Sequence, residues 1–167
     1  EQMISISHNY AALLLSEKVG LSNIREYLSQ RGITESTVGN VPRTTAHDVA
    51  LFLEKLYNGE IADEESTKKM IGLLKRQKLN DKLPKYLPDY VTIAHKTGEL
   101  GSFSHDSGIV YANTGDYIIV ILSESDNPDG ANDRIGLVSK AVNNYFQKFL
   151  YLTGHPITRY AEELAHI

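Results

Sequence analysis

The chain has 167 residues, enough for one compact domain, and 41% of them are hydrophobic. Its net charge of −4, without a basic stripe, argues against nucleic acid as a partner. Cysteine is absent and the six histidines form no HExxH-type or HxH pair, so we expect no disulfide and no metal site. No apolar run is long enough to span a bilayer, and we expect no membrane span.

Four helices are predicted in the first 80 residues. An apolar segment begins near Ser7 and stops at Gly20, and a second, 21–32, ends at Gly32. Residues 33–43 have the composition of a loop. A third helix begins with a capping-box pattern at Thr45 and Asp48. Its buried stripe is predicted at Val49, Phe52, Leu53 and Leu56, with Gly59 at its end.

The fourth helix starts after Asp63, a candidate N-cap. Glu64 and Glu65 stand four residues before Lys68 and Lys69, a spacing that predicts two ion pairs on an exposed first turn. The core-facing positions are predicted at Met70, Leu73 and Leu74.

Three strands are predicted next, at 90–97, 107–113 and 117–123, with a hairpin around 114–116. The last two are almost continuously apolar, which favours central strands covered by helices on both faces. A long helix, 131–152, should bury Ile135, Val138, Val142, Tyr145 and Phe149. We interpret the tail, 153–167, as a last short helix.

This order predicts an α+β fold in which helices pack on a small antiparallel sheet. We expect one partial domain over 1–152, with its helical part at about 1–80, its strands at about 90–124 and its C-terminal helix at about 131–152, followed by a tail over 153–167. Three strands are few for an independent core, so the sheet is expected to be incomplete.

The triplet Lys96, Thr97 and Gly98 at the end of the first predicted strand favours an anion site. The ammonium supplies charge, the hydroxyl a directed hydrogen bond, and the glycine close access to the backbone. The N–H of Glu99 could point at a developing oxyanion. Taken alone the triplet is weak, since a lysine at a strand end before a turn is the more common explanation.

A second motif, Ser7-x-Asn9, opens the first helix 89 residues before Lys96. The sequence resembles the penicillin-recognising serine hydrolases, that is, class A β-lactamases and penicillin-binding proteins. The resemblance lies in these two motifs and the residues around them, MISISHNYAALLL and IAHKTGELGSFSHDSGIVY. RTTAHDVALFLEKLYNGEI also resembles a segment of this family, and the likeness covers about residues 1–150. The family carries S-x-x-K, S-x-N and K-T-G in that order.

The resemblance implies a β-lactamase/transpeptidase-like fold and a role for each matching residue. Ser7 would relay a proton toward the leaving nitrogen, and Asn9 would bind the substrate's amide and help fix the catalytic lysine. Lys96 and Thr97 would bind the substrate carboxylate, with Gly98 giving access. The Glu99 N–H would be one oxyanion donor.

Each residue also has a structural interpretation. Ser7 and Asn9 could simply cap a helix. His8 between them is interpreted as solvent-facing, without chemistry. His95 is expected on the strand face opposite Lys96, as a packed structural histidine. His105 and Asp106 are expected in the loop after the triplet, as the border of a groove or as a polar turn.

The nucleophile's S-x-x-K should precede Ser7, yet only six residues do. A literal match, Ser66 to Lys69, falls in the charged first turn of the fourth helix, where the lysine would be protonated and a poor base. Residues 125–127, S-D-N, also match the family's second motif, but they follow Lys96 in the chain, and their composition is typical of an Asx turn.

The deacylating glutamate of class A β-lactamases also lacks a counterpart. The loop 33–43 is too short for the family's long loop, and Glu35, its only carboxylate, has the wrong spacing to Asn40. This favours a penicillin-binding, carboxypeptidase-like or esterase-like relative over an efficient β-lactamase.

We therefore expect a fragment of a serine hydrolase, inactive alone, whose parent forms an acyl-enzyme with a β-lactam or D-Ala-D-Ala-type amide. The resemblance implies no cofactor, a small-molecule or peptide substrate with a carboxylate, a possible companion N-terminal fragment, and a periplasmic, secreted or cell-surface location. Two alternatives stay open: a non-catalytic binding module that keeps the carboxylate pocket, and an unrelated helix–sheet domain.

Overall fold

The protein is described by a computed structural model that covers residues 1–153. The tail helix expected beyond that point therefore lies outside the described residues. The elements are α1 Gln2–Ser5, α2 Asn9–Val19, α3 Leu21–Ser29, α4 Ala46–Tyr57, α5 Glu64–Leu74, β1 Thr92–Leu100, β2 Phe103–Tyr111, β3 Tyr117–Glu124 and α6 Pro128–Thr153. Over this range no helix is both long and apolar enough to cross a membrane.

The three strands form an antiparallel sheet in the order β1-β2-β3, so the predicted α+β class is confirmed. Side chains alternate between the two faces of such a sheet. One face packs on α4 and α5 through a core that includes Ala94 and Ile109. The other face packs on α6 through Val110, Ile119 and Ile135. The strand β2 is central, whereas β3 is an edge strand among the described residues, in contrast to the prediction of two central strands.

The helix caps follow the sequence signals. The Thr45 hydroxyl accepts the Asp48 N–H at 3.2 Å, and Asp63 accepts the Ser66 N–H at 2.9 Å. The second half of the predicted capping box was wrong, because the Asp48 carboxylate turns away from Thr45 and accepts the Glu35 N–H instead.

Two positions of the long helix α6 that were predicted to face the core, Val138 and Tyr145, are exposed. The helix begins at Pro128, after Asn127 caps it by accepting the Gly130 N–H at 3.0 Å. Val138 and Tyr145 are 48% and 65% exposed. The buried ridge instead includes two polar residues, Ser139 and Asn143. A hydrophobic pattern could not place this face, because some of its buried positions are polar.

The strands β1 and β2 extend toward each other beyond their predicted ranges of 90–97 and 107–113. The strand β1 continues through the Lys-Thr-Gly triplet to Leu100, and β2 begins at Phe103. His105 and Asp106 therefore lie in β2, paired with Gly98 and Thr97, and their placement in a loop was wrong. Their polar side chains resemble turn composition, but alternation along β2 sends them to opposite faces.

The helix α2 has an unusual surface. It is rich in leucine, yet none of its residues is buried. Leu13, for example, is 52% exposed. An apolar helix normally buries one face against another element, so this surface lacks a covering element among the described residues.

Candidate functional site

The hydroxyl of Ser7 and the ammonium of Lys96 meet in the folded chain. Lys96 Nζ donates hydrogen bonds to Ser7 Oγ and to the Thr97 carbonyl oxygen, both at 2.6 Å. Ser7 lies between α1 and α2 with φ of 55°, a left-handed conformation that a residue with a Cβ rarely adopts. Such strain costs on the order of 1–3 kcal/mol, and it clusters at functional sites.

The environment of Lys96 lowers the pKa of its ammonium group. Burial lowers the pKa of the Lys96 ammonium, the nearby Lys82 ammonium lowers this pKa further, and the Asp106 carboxylate offsets part of the shift. Burial is the largest of these causes. A cation that is partly desolvated attracts an anion more strongly than one in water.

The other residues of the triplet lie along the same edge strand. Alternation directs Lys96 and Gly98 to the face of α4 and α5, and Thr97 to the face of α6. A Cβ at Gly98 would meet His105 at 3.6 Å, an ordinary contact, so packing does not require glycine there. One edge of β1 is unpaired among the described residues, so a ligand could lie along its backbone beside Lys96, whereas the Thr97 side chain is only 5% exposed.

The motif Ser7-x-Asn9 is arranged differently from a simple cap. Asn9 is the first residue of α2 and is exposed. The N-cap is His8, whose Nδ1 accepts the Ala11 N–H at 3.2 Å. The interpretation that Ser7 and Asn9 cap this helix is therefore wrong, and His8 has a structural role.

His95 and Asp106 form a buried pair on the face of α6. His95 Nδ1 lies 3.0 and 3.1 Å from the two carboxylate oxygens of Asp106, and its Nε2 lies 3.2 Å from Asn80 Oδ1. Asp106 also accepts the Leu83 N–H at 3.1 Å. The pair thus ties β1 and β2 to the segment before β1, as expected for a packed structural histidine.

Sequence reasoning missed the partner of Glu99. Lys82 is 1% exposed and its Nζ lies 2.5 Å from Glu99 Oε1. The hydrogen bond from Lys82 is the main cause that holds the pKa of the Glu99 carboxyl below its ordinary value. Lys82 lies in an irregular segment, where no periodic pattern marks a residue as buried.

The literal motif matches elsewhere have structural roles. Lys69 is 71% exposed and pairs with Glu65 at 2.6 Å, as predicted, and the Ser66 hydroxyl donates to Asp63. Asn127 of the S-D-N triplet is the cap of α6. Neither segment has the buried lysine that a general base requires.

One group of side chains among residues 1–153 has metal-ligand spacing: Glu35, His47 and Asp48, with atoms within 4.8 Å of one another. Asp48 Oδ2 already accepts the Glu35 N–H at 2.9 Å and the Ser36 hydroxyl at 2.8 Å. Glu35 Oε2 accepts the Thr45 hydroxyl at 3.2 Å. These contacts fasten the loop 33–43 to the start of α4, and we assign the group that structural role.

The Beta-lactamase enzyme family model matches residues 1–146, and the chain belongs to this family. No curated protein matches it. A structure titled "Structure of PBP-A" is 27% identical with a TM-score of 0.82, covering 87% of this chain and 59% of that one. A variant of PBP-A with the same values is described as an acyl-enzyme complex with penicillin G.

A β-lactamase from Sphaerobacter thermophilus DSM 20745 is 24% identical with a TM-score of 0.82, covering 87% of this chain and 60% of that one. At this identity the likeness establishes the fold. The chain spans about three fifths of the length of these solved structures. The predicted β-lactamase/transpeptidase-like fold is confirmed.

Proposed function

We propose that this chain is part of a β-lactamase-like serine hydrolase that forms an acyl-enzyme with a β-lactam or a D-Ala-D-Ala-type amide. The observation that carries the proposal is the 2.6 Å hydrogen bond from Lys96 Nζ to Ser7 Oγ, across 89 residues. These two residues belong to the K-T-G and S-x-N motifs of the family.

The proposed roles follow from the chemistry of acyl transfer. When a serine hydroxyl attacks the substrate carbonyl, the C–N bond breaks and the leaving nitrogen takes up a proton. We assign Ser7 Oγ the relay of this proton, and Asn9 a hydrogen bond to the substrate's amide. Lys96 and Thr97 bind the substrate carboxylate, and the Glu99 N–H donates to the oxyanion. Water then hydrolyses the ester to complete the cycle.

We further propose that the nucleophilic serine and its lysine lie outside these 167 residues. The exposed apolar surface of α2 supports this, since a helix that carries S-x-x-K would provide it with a packing partner. The solvated, ion-paired Lys69 argues against the S-x-x-K match inside the chain. Extracytoplasmic action is part of the proposal, because β-lactams and peptidoglycan are met there.

Slow deacylation is the expected behaviour of such an enzyme. Glu35, the one carboxylate of the loop 33–43, accepts a hydrogen bond from the Thr45 hydroxyl and so fastens the loop to the start of α4. This supports a penicillin-binding, carboxypeptidase-type or esterase-type activity over efficient β-lactam hydrolysis.

The test begins with the gene upstream of Met3, where an S-x-x-K segment should be encoded. The corresponding longer protein should then be labelled by a fluorescent penicillin, and the label should survive denaturation because it is covalent. Lys96→Ala should slow labelling, whereas Lys69→Ala should not. An upstream sequence without S-x-x-K would refute the catalytic proposal.

A non-catalytic binding module is the second candidate. The Ser7–Lys96 pair supports this candidate, because the two side chains can bind an anion without a nucleophile. Reversible binding of the same fluorescent penicillin, lost on denaturation, would identify this function.

A further inference from the structure

An acidic residue follows the Lys-Thr-Gly triplet directly. Glu99 is three residues from Lys96 in the same strand, and its side chain is 58% exposed. A carboxylate at this position would repel an anionic ligand, and the repulsion acts over distances below the Debye length of about 8–10 Å. An anion site beside Glu99 therefore needs an arrangement that cancels this charge.

The structure contains such an arrangement. Lys82 Nζ lies 2.5 Å from Glu99 Oε1, while Asp81, the second acid near Lys82, is 3.7 Å away. Lysine is almost never fully buried unless it is paired, and Lys82 is 1% exposed. The ion pair is the contact that compensates the desolvated ammonium.

Further hydrogen bonds hold the Glu99 carboxylate on the side of α6. Asn132 Nδ2, in α6, donates to Glu99 Oε1 at 3.2 Å and to Asp81 Oδ2 at 2.8 Å. The Ser104 hydroxyl of β2 donates to Asn132 Oδ1. Strand alternation places the Glu99 side chain on the face opposite the Lys96 side chain.

We propose that Lys82 is a positioning residue that neutralises the Glu99 carboxylate and fixes it on the α6 face, so that the site around Lys96 remains attractive to a ligand carboxylate. This inference rests on the proposed function, because it assumes that the ligand is an anion. It assigns no contact between Lys82 and the ligand.

The test uses ¹⁵N-labelled protein titrated with penicillin G, with binding followed at the Thr97 and Gly98 amides. Lys82→Met should raise the Kd about fivefold, as expected for a partly screened charge that is no longer compensated. The double variant Lys82→Met/Glu99→Gln should return to within about twofold of wild type, since both charges are gone. Lys85→Met is the matched control: it removes one lysine charge, from a surface pair with Asp133, and should change the Kd by less than about twofold.

A second measurement needs no ligand. The Glu99 carboxyl, followed by ¹³C NMR, should titrate below its ordinary pKa in wild type and move up toward that value in Lys82→Met. Should Lys82→Met fail to fold, Glu99→Gln serves instead, and it should bind penicillin G at least as tightly as wild type.

The outcomes separate the two proposals. Absence of penicillin G binding to the wild-type chain and to the longer protein would refute the proposed function and, with it, the role of Lys82 toward a ligand. Where the wild type binds penicillin G, the variants test the inference alone. Wild-type affinity in Lys82→Met, no recovery in the double variant, weaker binding in Glu99→Gln, or a Glu99 titration unchanged by Lys82→Met would each overturn the inference.

Discussion

Replacing Asp106 by alanine should destabilise the protein by about 4 kcal/mol. The Asp106 side chain is 0% exposed and accepts hydrogen bonds from His95 and from the N–H groups of Leu83 and Ser107. Each buried donor left without an acceptor costs about 1–3 kcal/mol, and the Asp106 carboxylate is the acceptor for all three of these groups. These costs overlap, so we expect about 4 kcal/mol, a large part of a typical stability of about 5–15 kcal/mol.

Urea unfolding at pH 7, followed by far-UV circular dichroism, measures this loss. Asp106→Asn keeps the shape and one acceptor oxygen, and should lose about half as much. Asp116→Ala is the control, because Asp116 is exposed and accepts one hydrogen bond, from Tyr57, at 2.9 Å. It should cost less than about 1 kcal/mol. Equal losses in Asp106→Ala and Asp116→Ala would refute the reasoning.

Three further predictions concern the site and its surroundings. The Lys96 ammonium should titrate below exposed lysines in ¹³C NMR, because burial lowers its pKa. Its pKa is lower in the folded than in the unfolded state, so the contribution of Lys96 to stability should rise with pH between these two values. Urea unfolding of wild type and of Lys96→Met across this pH range should differ by that contribution. Lys69→Ala should change stability by less than about 0.5 kcal/mol in urea unfolding, since it removes an exposed pair with Glu65. Thr45→Ala should cost about 1 kcal/mol in the same assay through loss of the α4 cap; an unchanged unfolding midpoint would contradict this.

The local part of the fold could be predicted from the sequence. The caps at Thr45 and Asp63 act within three residues of their partners, so the residues that form them are adjacent in the sequence. The apolar strands and the hairpin before Tyr117 follow from the same kind of local preference. Family motifs supplied what local preference cannot, namely that Ser7 and Lys96 belong to one site.

The polar network around the site could not be predicted. Asp106 was expected in a loop but lies in β2, because a polar strand segment has the same composition as a loop. Lys82 and Glu99 are 17 residues apart and meet only in the tertiary structure. The buried Asn143 in α6 shows the same limit, since a buried polar residue contradicts the hydrophobic pattern.

A crystal structure of the longer protein with penicillin G bound tests the central claim most directly. The account predicts that the ligand carboxylate lies within hydrogen-bond distance of Lys96 Nζ and Thr97, with Ser7 Oγ beside the former lactam nitrogen. A penicillin G molecule acylating a serine remote from Ser7 and Lys96 would contradict it.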